Sequence, residues 1–598
     1  MSLRPVVVRV SLRPTEDGEK TDDDERTENA SDVSRRSVLR TTGAAAGASA
    51  LGVGASGLAT RTVAARKSTA EEQDFEPSPD PDRPVTPGDG GLAFDRNRHL
   101  INPFPTVEGD TQDDVEPQIV SDAEGVLFAG GIRGLSDGGS DVWRSFDCGQ
   151  TWEYVGQPDG FPGGQETDGL GGGDIAMAVG EPYEGTPGGN LYVASLYLGD
   201  LLFFLTSTDR GETWTTQNPF SSAGFKGVDR QWIDAFGEST VYMSFHDVET
   251  FEIQVVKTTD AGTTFVNKTP ATLGNTQSFV RAYLGNDIGN IRTDREDGTV
   301  YQLWGDTNDG SESSAGDTMY MSVSTDGADS WTVNKVHTDP SGRSIGHLFP
   351  VQDIDSDGNL YVSWSDNSNV YYSFSTDKGT TWSDRIQVNS GPETNTSIFP
   401  WVAAEDGVAN FTWYASPAED NQVEGSEWRV YFAQVENALG DGEPKISQVE
   451  ASDHVVHVGP VCQGGTGCSG GRELVDVFYM TLDQQGLAHI AYTDDRPDDD
   501  IDTQQTYVAS QVAGPSAGGL NVDVTGDGQP ATDVDCDGRF ENVNGDVQAN
   551  VVDVQALFAN RGDASVRNNA DAFDFSGGTA GDDAVNVVDV QALFVENT

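Results

Sequence analysis

Ser145-Phe146-Asp147-Cys148-Gly149-Gln150-Thr151-Trp152 is an octapeptide that the chain repeats. Ser207 to Trp214 (STDRGETW) and Ser375 to Trp382 (STDKGTTW) are close copies. Thr258 to Phe265 (TTDAGTTF) is degenerate, and Ser324 to Trp331 (STDGADSW) has its glycine displaced by one. The pattern S-x-D-x-G-x-T-W describes a turn. The Asp carboxylate accepts backbone N–H groups, the Gly permits a positive φ, and the Trp packs between sheets. Upstream of each box stands an apolar strand, a turn, and a second strand rich in Tyr, Val and Trp. This unit occurs seven times, at 116–131, 174–195, 229–246, 288–304, 351–364, 401–413 and 475–492. Each unit with the strands that follow it predicts about four short strands.

The box resembles the Asp box of sialidase-like β-propellers. The resemblance implies an all-β propeller over residues 105–513, with seven blades, or six plus an extra hairpin as the alternative. A sialidase-type site, as that family is known, holds a carboxylate sugar with three arginines and attacks it with a Tyr–Glu pair and an Asp acid/base. The family's first arginine lies in an R-I-P motif. Here the first strand reads Val115-Glu116-Pro117-Gln118-Ile119-Val120, and R-I-P does not occur. Arg230, Arg292, Arg343 and Arg472 remain as pocket candidates, with Asp229 and Asp476 beside inner strands. Arg230 and Arg472 are expected to line one central pocket. A compact arginine–carboxylate cluster there favours an enzyme, and a shallow face without one favours a binder.

The composition narrows the function further. The 598 residues carry 97 Asp plus Glu against 35 Lys plus Arg, a formal charge of −62. Such a surface excludes nucleic-acid binding through a basic face. The bias resembles proteins of salt-loving archaea, whose carboxylate surfaces stay hydrated at molar salt and repel one another at low salt. With 36% hydrophobic residues and 11 Trp, the chain has material for a real core.

Residues 1–65 read as an address. Ser34-Arg35-Arg36-Ser37-Val38-Leu39 precedes a small-residue stretch from Thr41 to Ala59, which resembles a twin-arginine export signal cleaved near Ala64–Ala65. The stretch is too weakly apolar for a membrane span, so the mature chain is expected extracellular or at the cell surface. Residues 66–104 are rich in Pro, Asp and Glu and read as a disordered linker. Of the four cysteines, Cys462 and Cys468 form the only close pair; a small disulfide loop or two free thiols are both open.

After a short linker, 514–519, the character changes. Residues 520–598 carry fifteen acidic residues against three arginines. Asn550 to Phe558 (NVVDVQALF) recurs as Asn586 to Phe594. Each copy reads as the end of a calcium loop and its exit helix. Asn542, Asn544, Asp546, Asn550 and Asp553 fall at positions 1, 3, 5, 9 and 12 of an EF-hand-like loop, with Val547 in place of the usual Gly. In the second copy Asp574, Asp582, Asn586 and Asp589 are the ligands, around an insertion. Asp533, Asp535 and Asp537 make a further D-x-D-x-D-G start. The duplicated loop-helix resembles a dockerin, which implies a small α-helical module holding Ca²⁺ and a cohesin-like protein partner. The leading expectation is a secreted propeller that recognises a glycan or glycoprotein and is tethered by its tail. A glycoside hydrolase with a non-standard site and a non-catalytic adhesion protein are the alternatives.

Overall fold

The computed structural model describes residues 62–64, 88–101, 114–133, 139–158, 173–197, 201–219, 227–247, 252–272, 288–306, 316–342, 345, 349–440, 442–463, 468, 470–495, 504–576 and 584–597. The export signal's arginine pair, Arg343 and Asp582 lie outside them. The described residues form seven antiparallel sheets. Their inner strands begin at Asp114, Ile175, Val228, Ile288, Val351, Thr396 and Tyr479, matching the seven repeats. Each inner strand packs against those of the blades before and after it, and blade seven packs against blade one. The molecule is therefore a seven-bladed, all-β propeller.

The last blade is closed from the other end of the chain. Ala93–Phe94 and Arg98–His99 both pair with Gln505–Ala513, the third strand of blade seven. Residues 88–101 thus fold, where the composition predicted linker; a Pro- and Asp-rich stretch hides two short apolar and aromatic pairs that need only one edge to complete. Thr62–Ala64 likewise pairs with the outer strand of blade two, and the expected cleavage point falls at its end.

Blades cohere through buried aromatics. Tyr192, Tyr242, Tyr301 and Tyr361 stand near the start of the second strands of blades two to five, and all are buried. Trp143, Trp214, Trp304, Trp364, Trp401, Trp413 and Trp428 are each under 2% exposed. Burying one such side chain contributes roughly 2–3 kcal/mol.

The boxes are the turns between third and fourth strands. In the first, Thr151 N donates to Asp147 Oδ1 at 2.9 Å, and Gly149 N donates to Ser145 Oγ at 2.9 Å. The displaced fourth copy keeps this wiring. Ala328 takes the glycine's place at φ +69°, and its N–H donates to Ser324 Oγ at 2.9 Å.

The tail carries two ten-residue helices, Val551–Asn560 and Val587–Glu596, packed on each other and on a small core that includes Leu557, Phe573 and Leu593. The stretch expected as a linker is itself packed: Ala517 N donates to Gly486 O at 2.9 Å.

Candidate functional site

Four of the seven inner strands share a local irregularity. Register shifts interrupt them between Val115 and Gln118, Asp229 and Trp232, Ile288 and Ile291, and Ile398 and Trp401. Glu116, Arg230 and Phe399 sit in these bulges at φ +49°, +56° and +52°. A bulge re-aims a side chain that regular pleating would turn into the sheet. Amide side chains then stitch neighbouring inner strands. Gln118 Nε2 donates to Ile175 O while its Oε1 accepts from Met177 N, both at 2.7 Å. Asn290 makes the same pair of bonds to the backbone of Gln352, both at 2.8 Å.

Charged groups from four blades meet at the starting ends of these strands. Arg230 donates to Asp476 Oδ2, and Arg472 Nη2 donates to the same oxygen. Arg230 N donates to Asp174 Oδ2 at 3.1 Å. Its guanidinium lies 3.8 Å from Asp174 and 3.9 Å from Glu116, and rests 4.8 Å over the Phe349 ring. Arg230 and Arg472 are thus brought together as expected, but on a shared aspartate. Asp229 adds a further negative charge near Arg230. Arg292 belongs to a separate pair: its Nε donates to Asp353 Oδ1 at 3.0 Å, and Asp353 Oδ2 accepts from Ala404 N at 2.9 Å. Below lies an aromatic cluster, with Trp401 and Tyr479 centroids 3.9 Å apart and Trp232 6.0 Å from Trp401.

Burial dominates the electrostatics. It drives the Glu116 carboxyl well above its usual range, with the nearby Asp174 carboxylate adding to the effect. Burial likewise pushes Asp174 up to about 6, against the pull of Arg230. Burial also opposes ionisation of Asp476, yet Arg230 and Arg472 together outweigh it and hold that group below the usual value. Sequence reading placed Asp476 and both arginines. It missed Glu116 as a site residue, because position 116 reads as an ordinary strand start until its bulge is seen.

The second set of predicted residues lies in the tail. Asp553 is buried, and its two oxygens accept from Asn544 N at 3.0 Å and Asn550 N at 2.7 Å. Asn550 and Asn586 cap the two helices, each accepting from the backbone two residues on at 2.8 Å. Asn544 Nδ2 donates to Asp546 Oδ2 at 2.9 Å. Asn542 is fully buried and its Oδ1 has no hydrogen-bond partner among the described residues. An orphaned buried carbonyl oxygen at position 1 fits a cation ligand. In the second copy Asp589 accepts from Asn586 N at 2.6 Å and from Ser576 N at 3.0 Å, and Asp574 is buried nearby. Asp533, Asp535 and Asp537 precede the first loop, whose Asn542 pairs with Thr532; with Glu541, which the sequence reading passed over, they place one carboxylate oxygen each within 4.8 Å of one another.

Both cysteine pairs are disulfides. Cys462 bonds Cys468, the nearer of the two expectations, and Cys148 of the first box bonds Cys536 of the tail. The second bond links residues 388 apart, and no local spacing announces it.

The class the fold defines is a seven-bladed Asp-box propeller with an appended loop-helix module. No protein-family model and no curated protein matches the chain in sequence. Among solved structures it is similar to the Hadza microbial sialidase Hz136, at 14% identity and TM-score 0.34 over 54% of this chain and 71% of that one. It is also similar to an Aleuria aurantia lectin bound to a fucosylated sugar, at 11% and 0.35 over 58% and 97%. A third is an α-L-arabinofuranosidase from Fusarium graminearum, at 12% and 0.37 over 70% and 98%.

Proposed function

We propose that the chain is an exported propeller that recognises extracellular glycan at the starting ends of its inner strands. The observation that carries this reading is the convergence of Arg230, Arg472, Asp174 and Asp476 from three blades at one partly exposed polar site. The Arg472 and Asp174 side chains are 17% and 14% exposed there. Bidentate donors beside carboxylates suit a polyhydroxylated ligand, which offers both donors and acceptors. A carboxylate sugar suits the site poorly, because each guanidinium already ends on an aspartate. The tail is a tether in this reading. Asn542, Asp546 and Asp553 in the first loop, with Asp574 and Asp589 in the second, would hold calcium and shape the two-helix face for a cohesin-like partner. The carboxylate-rich surface suits work at molar salt.

The test is binding of a panel of neutral and acidic glycans by the full mature chain in molar salt with calcium. Binding weakened about tenfold by Arg472→Ala, roughly 1.4 kcal/mol, is the expected result. A folded protein that binds none of them sinks the reading. One observation favours hydrolysis as a second reading. Glu116 and Asp174 retain protons above the ordinary carboxyl range, which a general acid requires. Fluorogenic glycosides under the same conditions separate the two: turnover abolished by Asp174→Asn makes this a hydrolase, and its absence with intact binding leaves a lectin.

A further inference from the structure

At the other ends of the inner strands, two boxes reach an aspartate in the first hairpin turn of the preceding blade. Arg210 Nε donates to Asp122 Oδ2 at 2.7 Å, from blade two to blade one. Lys378 Nζ donates to Asp294 Oδ2 at 3.3 Å, from blade five to blade four. Both use the residue that follows the box aspartate. In blade one that residue is Cys148, whose sulfur lies 4.0 Å from Asp483 in the corresponding turn of blade seven. The seam where the ring closes therefore lacks this basic contact. The tail supplies Cys536 there instead. Gln485 of the same blade-seven turn accepts from Asp533 N at 3.1 Å and donates to Asp533 O at 3.0 Å.

The loop so anchored is Asp533-Val534-Asp535-Cys536-Asp537-Gly538-Arg539-Phe540-Glu541. Its four carboxylates converge within 4.8 Å. Their spacing is 1, 3, 5 and 9, with Gly538 at φ +93° in the sixth place, where a calcium loop turns sharply. Arg539 Nη1 sits 3.0 Å from Asp537 Oδ2. Glu541 is 2% exposed. Its Oε2 accepts from Val534 N at 3.1 Å, while its Oε1 has no hydrogen-bond partner among the described residues. A buried carboxylate oxygen left unpartnered among three other carboxylates is costly without a cation to receive it.

We infer that Asp533, Asp535, Asp537 and Glu541 bind a hard divalent cation, calcium by their all-oxygen donor set, and that this ion fastens the tail to the seam between the first and last blades. The site adjoins the first helix loop, with Glu541 next to Asn542 and Thr532 paired with Asn542, but uses none of that loop's ligands, and it is independent of the glycan reading. Two measurements on the full chain in molar salt test it. The first is calcium retained per chain after gel filtration in calcium-buffered solvent. Asp535→Asn/Asp537→Asn and the isosteric Glu541→Gln should each retain one ion fewer than the parent, whereas Asp553→Asn should lose a different one, so that combining them loses both. The second needs no variant: calcium should slow thiol reduction of the Cys148–Cys536 bond about tenfold by holding the seam closed. An unchanged calcium count in both seam variants overturns the site. A reduction rate indifferent to calcium overturns the clamp.

Discussion

The two ends of the inner strands gather charge in opposite ways. At the starting ends, carboxylates and guanidinia from several blades neutralise one another: Asp476 accepts from two arginines, and Asp353 from Arg292 and a backbone N–H. At the seam, four carboxylates of one loop meet with a single arginine on their edge. Buried carboxylate oxygens without a hydrogen-bond partner among the described residues occur at both ends, on Glu116 and Asp476 and on Glu541, but only those of the first set have guanidinia beside them to balance the charge. Convergence of charge therefore points to a ligand only where groups stay partly exposed, as Arg472 and Asp174 do, or outnumber the basic side chains beside them, as in the Glu541 cluster. The first cluster is a lattice that also holds blades together, and its ligand must compete with internal partners. The second is incomplete by itself. Removing a partner separates the cases most sharply. Asp476→Ala leaves Arg230 buried without its main acid, so a loss of about 3–5 kcal/mol is expected in urea unfolding. A loss below about 1 kcal/mol would mean that Asp174 and Glu116 suffice, and that Asp476 is free to serve a ligand.

The disulfides extend the comparison. A cross-link stabilises chiefly by restricting the unfolded chain, and more so for a longer loop. Cys148–Cys536 spans 388 residues and Cys462–Cys468 spans 6. Replacing both members of the long pair by Ser should cost about 5 kcal/mol, against about 2 for the short pair. Equal costs would show that the tail stays docked without its bond, and that noncovalent contacts such as those of Gln485 hold the seam.

How much of this was legible in the sequence differs between the two ends. The boxes and two-strand repeats are local signals, and they marked all seven blades and the positions of Arg230, Arg472 and Asp476. The closing strands were not legible. Ala93–Phe94 becomes a strand only because blade seven lacks a fourth, a relation between residues some 400 apart. Glu116 was hidden for a related reason: its approach to Arg230 follows from a bulge, which no pattern in Val115-Glu116-Pro117 announces. At the seam the local signal is weak. Arg210 and Lys378 are basic at the box position where Cys148 stands, but Ala261 and Gly327 hold the same place in the third and fourth boxes, so a non-basic residue there does not single out the closing blade.

Acidity tests the axial lattice against a buried histidine between blades six and seven. His454 is flanked by Asp453, 2.5 Å from Nδ1, and by Asp494 at Nε2. Burial disfavours its charged form, but the two carboxylates outweigh burial and raise its pKa. A raised folded value means stability that is complete below the unfolded value near 6.5 and lost as pH climbs through the folded one. For Asp174 the same sign applies in a lower window. Its contribution is complete below about 4 and is lost as pH rises toward about 6. Urea midpoints should therefore fall in two stages between pH 4 and 8. Asp174→Asn should shrink the lower stage, which Glu116 and Asp533 share, and His454→Gln the upper, which Glu541 shares. A profile that His454→Gln leaves unaltered above pH 6 would assign that histidine no charge in the folded protein.

The smallest expected effects concern the boxes themselves, and they ask whether backbone or packing sets the turn. Gly379 has φ +76°, and an added Cβ would lie 3.3 Å from Leu360 Cδ1. Gly379→Ala should cost about 1–2 kcal/mol for the left-handed backbone, with a further cost because buried Leu360 must give way. In the displaced fourth box Ala328 already bears that penalty at φ +69°, yet its methyl is fully buried. Ala328→Gly relieves roughly 1 kcal/mol of backbone strain and forfeits about 0.8 kcal/mol of methyl burial, while also loosening the unfolded chain. The terms nearly cancel, so the urea midpoint should move by less than about 0.5 kcal/mol in either direction. A clear gain would make the strain dominant and the displaced glycine a defect. A loss above about 1 kcal/mol would make the methyl a packing element, and would explain how a box with its glycine out of place still keeps the hydrogen bonds of the others.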